Sequence, residues 1–274
     1  MKLKTALICL FLMIFSFSCQ KADPDAPMQP DMAKSMIKLK GYTADEAGLF
    51  SAVKLDDVVI LKAFFDAGIN PNAQNELGES LLTFAIQNVE TKTVKVIIER
   101  ADINLRDRYG NSPIHLALLK NKDEILNKLL EKNADVNVPG RDGKLQGQTV
   151  LYLAVARNRE DLVQNFLERG ANPNIADKDG FLPLAAACVG DGIKSSTVKM
   201  LLDKGADPNG KESNGATPLI YIAGNKYVTS EERREIVKML LDKGADKTIK
   251  EKKGRTAFDV AKQFQIKDLD DLLK

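Results

Sequence analysis

The sequence predicts an all-α solenoid of about seven stacked helix–turn–helix units. Three observations predict it. One segment type recurs in register through residues 43–274, each copy carries the residues that start and stop helices, and the longer helix of each copy has one apolar face. The closing segment reads FFDAGINPNA (64–73), VIIERADINL (96–105), KLLEKNADVN (128–137), FLERGANPNI (166–175), LLDKGADPNG (201–210) and LLDKGADKTI (240–249). The opening segment reads LGESLLTFAI (77–86), YGNSPIHLAL (109–118), QGQTVLYLAV (146–155), DGFLPLAAAC (179–188), NGATPLIYIA (214–223) and KGRTAFDVAK (253–262).

Each element of a unit follows from its residues. Proline at the opening of the inner helix costs no hydrogen bond there, and the Ser or Thr before it can cap the helix. Ala and Leu along this short helix allow close packing on the next unit. The outer helix, as in 124–131, places Ile125, Leu126, Leu129 and Leu130 on one face. Gly170, Gly205 and Gly244 then supply the left-handed residue that ends it. A unit with two apolar faces cannot bury both alone, so the units stack. Leu81, Pro113, Val150, Pro183, Pro218 and Ala257 are equivalent, spaced 32, 37, 33, 35 and 39 residues apart. The longer spacings trace to extra residues at 139–143, 189–196 and 225–234, and the last two segments are expected to lie outside the core and to tolerate shortening. Gly48 lies 33 residues before Leu81, which makes 48–68 a first, truncated unit. In the last unit Asp259, Lys262, Lys267, Asp268 and Asp270 interrupt the apolar pattern, as a capping repeat requires.

These segments resemble the ankyrin repeat, whose unit opens Gly-x-Thr-Pro-Leu-His-x-Ala, closes on a Gly-Ala-Asp-x-Asn turn and repeats about every 33 residues. The nearest copy runs from Gly110 through Asn111, Ser112, Pro113, Ile114, His115 and Leu116 to Ala117. The resemblance implies units at approximately 43–73, 74–105, 106–138, 139–175, 176–210, 211–250 and 251–274, joined by β-hairpin-like fingers. It implies that His115 is structural, bridging loop backbones of neighbouring units. It also implies that a protein partner binds through the finger tips and the concave inner-helix face.

The N-terminus reads as an address. Lys2 and Lys4 precede an apolar run from Ala6 to Phe17, and Ser16, Phe17 and Ser18 lead into Cys19, the layout of a signal peptide over 1–18. Small residues before a cysteine resemble a bacterial lipoprotein box, which implies a lipid on Cys19 and a membrane attachment. Ser16 stands where Leu is usual and Phe17 is bulky, so ordinary cleavage at nearly the same bond, with release in soluble form, is the alternative. Residues 19–33, with Pro24, Pro27, Pro30, Asp23, Asp25 and Asp31, are expected to form a disordered tether ahead of the repeat domain at 34–274. Export to the periplasm or outer membrane follows. Cys188 would be the one thiol left in the mature domain, and it cannot form an intramolecular disulfide.

The chemistry is narrow. The chain has 274 residues, 40 Lys+Arg against 38 Asp+Glu, and without Lys2 and Lys4 the balance is 38 against 38. That neutrality argues against a nucleic-acid partner. One histidine and no clustered ligands leave no catalytic, metal or cofactor residues to name. The glycine pairs at 140–143 and 190–192 lack phosphate-loop spacing. Lys247, Lys250, Lys252, Lys253 and Arg255 form the most basic stretch, read as a solvated finger, with contact to an acidic partner or an anionic lipid as the alternative. The chain is thus read as a monomeric binding module. An enzyme with unrecognised carboxylate chemistry and a partnerless envelope spacer are the rival readings. Finger positions that a bare scaffold would keep short and polar hold Leu77, Tyr109, Leu145 and Phe181, with Arg108 beside Tyr109 and Arg157 ending an inner helix; these six are the candidate partner-binding residues.

Overall fold

Helix starts are fixed by side-chain oxygens that replace missing helical acceptors. In the computed structural model, which describes residues 26–141 and 146–274, Asp45, Asp57, Ser80, Thr149, Thr217, Thr229 and Thr256 each accept the backbone N–H three residues on. Pro113, Pro183 and Pro218 take the first helical position of their inner helices. The leader, Cys19, the tether up to Asp25 and Leu145 lie outside the described residues.

The resulting helices pair unit by unit. Unit one holds α2 (Glu46–Lys54) and α3 (Val58–Asp66), preceded by α1 (Pro30–Leu39). Units two to four hold α4 (Leu81–Asn88) with α5 (Thr91–Ile98), α6 (Pro113–Leu119) with α7 (Asp123–Glu131), and α8 (Val150–Ala156) with α9 (Glu160–Glu168). Units five to seven hold α10 (Pro183–Ala186) with α11 (Ser195–Asp203), α12 (Pro218–Ala223) with α13 (Ser230–Asp242), and α14 (Ala257–Gln263) with α15 (Asp270–Leu273). Each helix packs on its partner, and each inner helix on the inner helices of adjacent units, so one continuous apolar core runs through the stack. The outer helices turn Ile125, Leu126, Leu129 and Leu130, then Leu162, Val163, Phe166 and Leu167, into that core. Gly170, Gly205 and Gly244 have φ of 82°, 82° and 88°, and Asn133 does the same work at 60°.

The fingers are not β-hairpins. Among the described residues there is no β-strand, and a single isolated antiparallel bridge joins Gln74 and Ser80. The reason lies in the acids and amides at the finger bases. Asp107 Oδ1 accepts from the N–H of Tyr109 and of Asn111, both at 2.9 Å, so the carboxylate takes donors that a strand ladder would need. Asn75 and Asp177 do likewise in their fingers. Each finger is a tight turn, and successive turns bond along the stack: Arg108 N–H to Gly78 O, Lys178 to Gln146, Ser213 to Asp179 and Lys252 to Asn214, at 2.8–2.9 Å. A Cβ on Gly78 would lie 2.7 Å from the Arg108 side chain, and one on Gly110 2.2 Å from Arg141. Both glycines have positive φ, so turn and stacking alike exclude a side chain.

A second ladder runs through the closing turns. Asn72, Asn104, Asn137, Asn174 and Asn209 each accept, through Oδ1, the backbone N–H of the acid or amide that opens the next unit's turn, at 2.7–3.0 Å. Asn137, Asn174 and Asn209 also donate through Nδ2 to Gly170, Gly205 and Gly244.

Two further expectations change. Residues 30–33, assigned to the tether, form the first turn of α1, where Ala33 and Ile37 are buried and the helix lies on α3. The extra residues at 189–196 and 225–234 are not loose. Ile193 and Val228 are buried, and Asn225 Nδ2 donates to Cys188 O and Gly190 O. Arg233 reaches Asn225 O, Val228 O and both carboxylate oxygens of Asp268. The inserted segments therefore knit units five, six and seven together, because their polar groups satisfy one another across units.

Candidate protein-interaction surface

Three of the six sequence-derived residues meet at adjacent finger tips. Leu77 is 57% exposed and Tyr109 52%. The bond from Arg108 N–H to Gly78 O sets the two tips side by side. Arg108 holds the ring in place: its Nη2 donates to Tyr109 Oη at 2.7 Å and its guanidinium lies 4.8 Å from the ring centroid. Leu77 also borders a groove of about 600 Å³ between this finger and the inner helices α2 and α4, lined by Phe50 and Phe84. Those two rings stand edge to face at 5.3 Å. Sequence reading missed them, because inner-helix aromatics look like core until the neighbouring finger is placed.

The other positions serve the stack as well as the surface. Arg157 Nη1 donates to Leu118 O at 3.0 Å and so ties unit four to unit three. Phe181 is half-buried, with its ring 5.3 Å from that of Tyr221, whose hydroxyl donates to Glu212. Together with Tyr152 and Val189, Phe181 lines a second cleft of about 360 Å³. The electrostatics of the third and fourth fingers are cationic. Arg106 is half-buried, and desolvation and then the nearby Arg141 hold its basicity below the usual arginine value, with Asp135 opposing.

His115 is fully buried and bonded at both nitrogens, to Ser112 Oγ at 2.7 Å and to Gln148 O of the next finger at 3.1 Å. The carbonyl requires a proton on Nε2, so Nδ1 accepts from the serine. This is the inter-unit bridge that the resemblance implies. Ser112 is occupied by the imidazole and makes no helix cap. Burial lowers the imidazole from 6.5 to about 4, outweighing the bond to Gln148. Between those values the unfolded chain takes up a proton that the folded chain refuses, so stability is full above pH 6.5 and falls as pH drops toward 4. The loss should reach about 3 kcal/mol. Urea unfolding of the parent and of His115→Gln at pH 7 and pH 4 measures it; equal pH dependence in the two proteins would refute the assignment. Cys188 is buried, and burial pushes its thiol up to about 12, which makes it inert. Among the described residues no group of three or more His, Cys, Asp or Glu could hold a metal ion, and no helix is long and apolar enough to cross a membrane.

A fold of stacked helix pairs with bonded finger turns defines a helical repeat scaffold. Comparison with known proteins agrees. The family model for ankyrin repeats (three copies) matches residues 49–140, 139–212 and 189–270, and the chain belongs to the ankyrin-repeat family. An ankyrin repeat-containing protein of Schizosaccharomyces pombe is 35% identical over 94 residues, 34% of this chain and 44% of that protein. The transient receptor potential cation channel subfamily A member 1 of Homo sapiens is 32% identical over 88 residues, 31% of this chain and 8% of the channel. The chain thus spans less than half the length of these relatives. The crystal structure of the ankyrin repeat domain of Bcl-3, a member of the IkappaB family, superposes with a TM-score of 0.63 at 26% identity, over 81% of this chain and 97% of that domain. Ankyrin-repeat domains are non-catalytic scaffolds for protein–protein interaction, and this chain carries one.

Proposed function

We propose that the chain is an exported, lipid-anchored interaction module, monomeric in itself, that holds a protein partner in the periplasm or at the outer membrane. The observation that carries the binding surface is the exposure of Leu77 and Tyr109 at adjacent tips, continuous with the Phe50–Phe84 groove. Exposed apolar residues grouped in this way mark recognition sites more often than scattered ones do. Arg157 and Phe181 lie in the following units, and Leu145 is assigned to the same surface by its sequence position alone. Arg106, Arg108 and Arg141 supply positive charge beside it, which suits a partner segment carrying apolar side chains and carboxylates. The leader and Cys19 support the address, with the lipid on Cys19 as the anchor.

The test is capture from envelope extract on the immobilised chain, compared with Leu77→Ala/Tyr109→Ala. The pair should weaken retention of the captured partner by more than ~1.4 kcal/mol, about tenfold, with melting unchanged. A variant that melts normally and captures the same protein equally well would move the site elsewhere. Tyr227, 79% exposed on the inserted segment, is the next place to look. Retention of abundant background proteins alone would favour the spacer reading.

A further inference from the structure

Eight large apolar side chains are exposed among the described residues, and three of them, Leu39 in α1, Leu55 just past α2 and Val59 in α3, are exposed at 68%, 71% and 61%. They lie at one end of unit one. Helix α1 runs antiparallel to α3: Met28, ahead of α1, donates its N–H to Asp66 at the end of α3, while Tyr42, just past α1, feels the charge of Asp57 at the start of α3. Leu39 at the end of α1 is therefore brought to the α2–α3 turn that carries Leu55, and to Val59 in the first turn of α3. Lys38, Lys40 and Lys54 share this end and are exposed, and their ammonium groups are in no hydrogen bond or ion pair among the described residues. The two carboxylates there are each bonded within the chain, although Asp56 remains exposed: Asp56 accepts from the Thr93 hydroxyl and Asp57 caps α3 through Ile60 N–H. Apolar side chains with free lysines around them match a bilayer interface, where the former enter the acyl boundary and the latter meet anionic headgroups. Cys19 lies seven residues before Ala26, where the described chain begins, a reach of at most about 25 Å.

We infer that this end of the solenoid seats on an anionic lipid surface through Leu39, Leu55 and Val59, with Lys38, Lys40 and Lys54 on headgroup phosphates. The inference deepens the anchored reading above and rests on it for orientation. A lipid at the end of a tether leaves the domain free to turn, so a second contact of this kind adds to the anchor and also fixes which way the fingers point.

The experiment uses the full chain with Cys19→Ser, which carries no lipid, mixed with phosphatidylcholine vesicles with or without phosphatidylglycerol. It compares that protein with the same chain bearing Leu39→Ser/Leu55→Ser or Lys38→Glu/Lys40→Glu/Lys54→Glu. All three share residues 1–25, so any contribution from that segment cancels. The leucine pair should bind about tenfold more weakly. The lysine set should lose roughly fivefold per residue and its preference for phosphatidylglycerol. Amides of residues 38–41 and 54–57 should gain hydrogen-exchange protection on vesicles containing phosphatidylglycerol. Because the substituted side chains are exposed, melting should stay the same and binding differences can be read directly. Equal binding by all three proteins overturns the inference. So does protection confined to the fingers, or a dimer in light scattering that the leucine pair dissolves. The anchor is read separately, by acyl labelling of the parent against Cys19→Ser in cells; an unlabelled parent sinks the anchor without touching the vesicle result.

Discussion

Arg233→Ala is expected to destabilise the chain by about 3–5 kcal/mol and to free units six and seven first. The guanidinium is 7% exposed and the Asp268 side chain 20%. Nη1 donates to both oxygens of Asp268 at 3.0 and 2.8 Å, Nε to Asn225 O at 3.0 Å and Nη2 to Val228 O at 2.7 Å. Truncation leaves a carboxylate and two carbonyls in a confined space without their donor, and it is the stranded groups that make the change costly. Arg233→Lys keeps the charge but not the fork, so it should recover only part of the loss. Urea unfolding followed with hydrogen exchange measures both. A cost under ~1 kcal/mol would mean that the pair behaves like an exposed surface bridge and that the inserted segment is not held by it.

Leu130→Ala should cost about 2–5 kcal/mol, since the side chain is 1% exposed and α7 packs on α6 of its own unit and on α5 of the preceding one. The distribution of the damage matters more than its size. Units in a linear stack couple through nearest-neighbour interfaces, so protection should fall most over residues 74–175 and least in units six and seven. An even loss along the whole chain would show that the stack unfolds as one cooperative block.

The repeat, its caps and the core faces were legible because they recur: a proline after a capping hydroxyl, Leu129 and Leu130 on one stripe, and glycine closing a helix appear often enough to establish a period. His115 was legible for the same reason, as a motif position with a known geometric duty. What could not be read is what happens once, or between units. Asp268 lies 35 residues from Arg233, and no periodicity announces the pair. The asparagine ladder was visible as a recurring letter but not as a bond, because its acceptors and donors belong to different copies. The hairpin expectation failed on the same ground: finger residues look like strand connectors until the Asp107 carboxylate is seen taking the N–H groups that strands would share. In the candidate site, exposure at Leu77 and Tyr109 agreed with a sequence argument about finger tips. Phe181 turned out to contact Tyr221, a residue of the following unit.

The asparagine ladder also bears on self-assembly. A column of identical rungs is open by nature: whatever lets one unit dock on the next would let one molecule dock on another, and such head-to-tail contacts propagate into fibres. Here the column stops at Thr248, which occupies the position held by Asn209 one unit earlier. Its hydroxyl is turned back onto Asp246 at 2.7 Å, and a threonine has no amide to extend toward a further turn. At the opposite end α1 packs antiparallel on α3, the outer helix of the first unit. The ladder is thus closed by a single residue at one end, while at the other a helix is laid against the first unit, so head-to-tail docking through a further rung finds no amide at Thr248 to continue it.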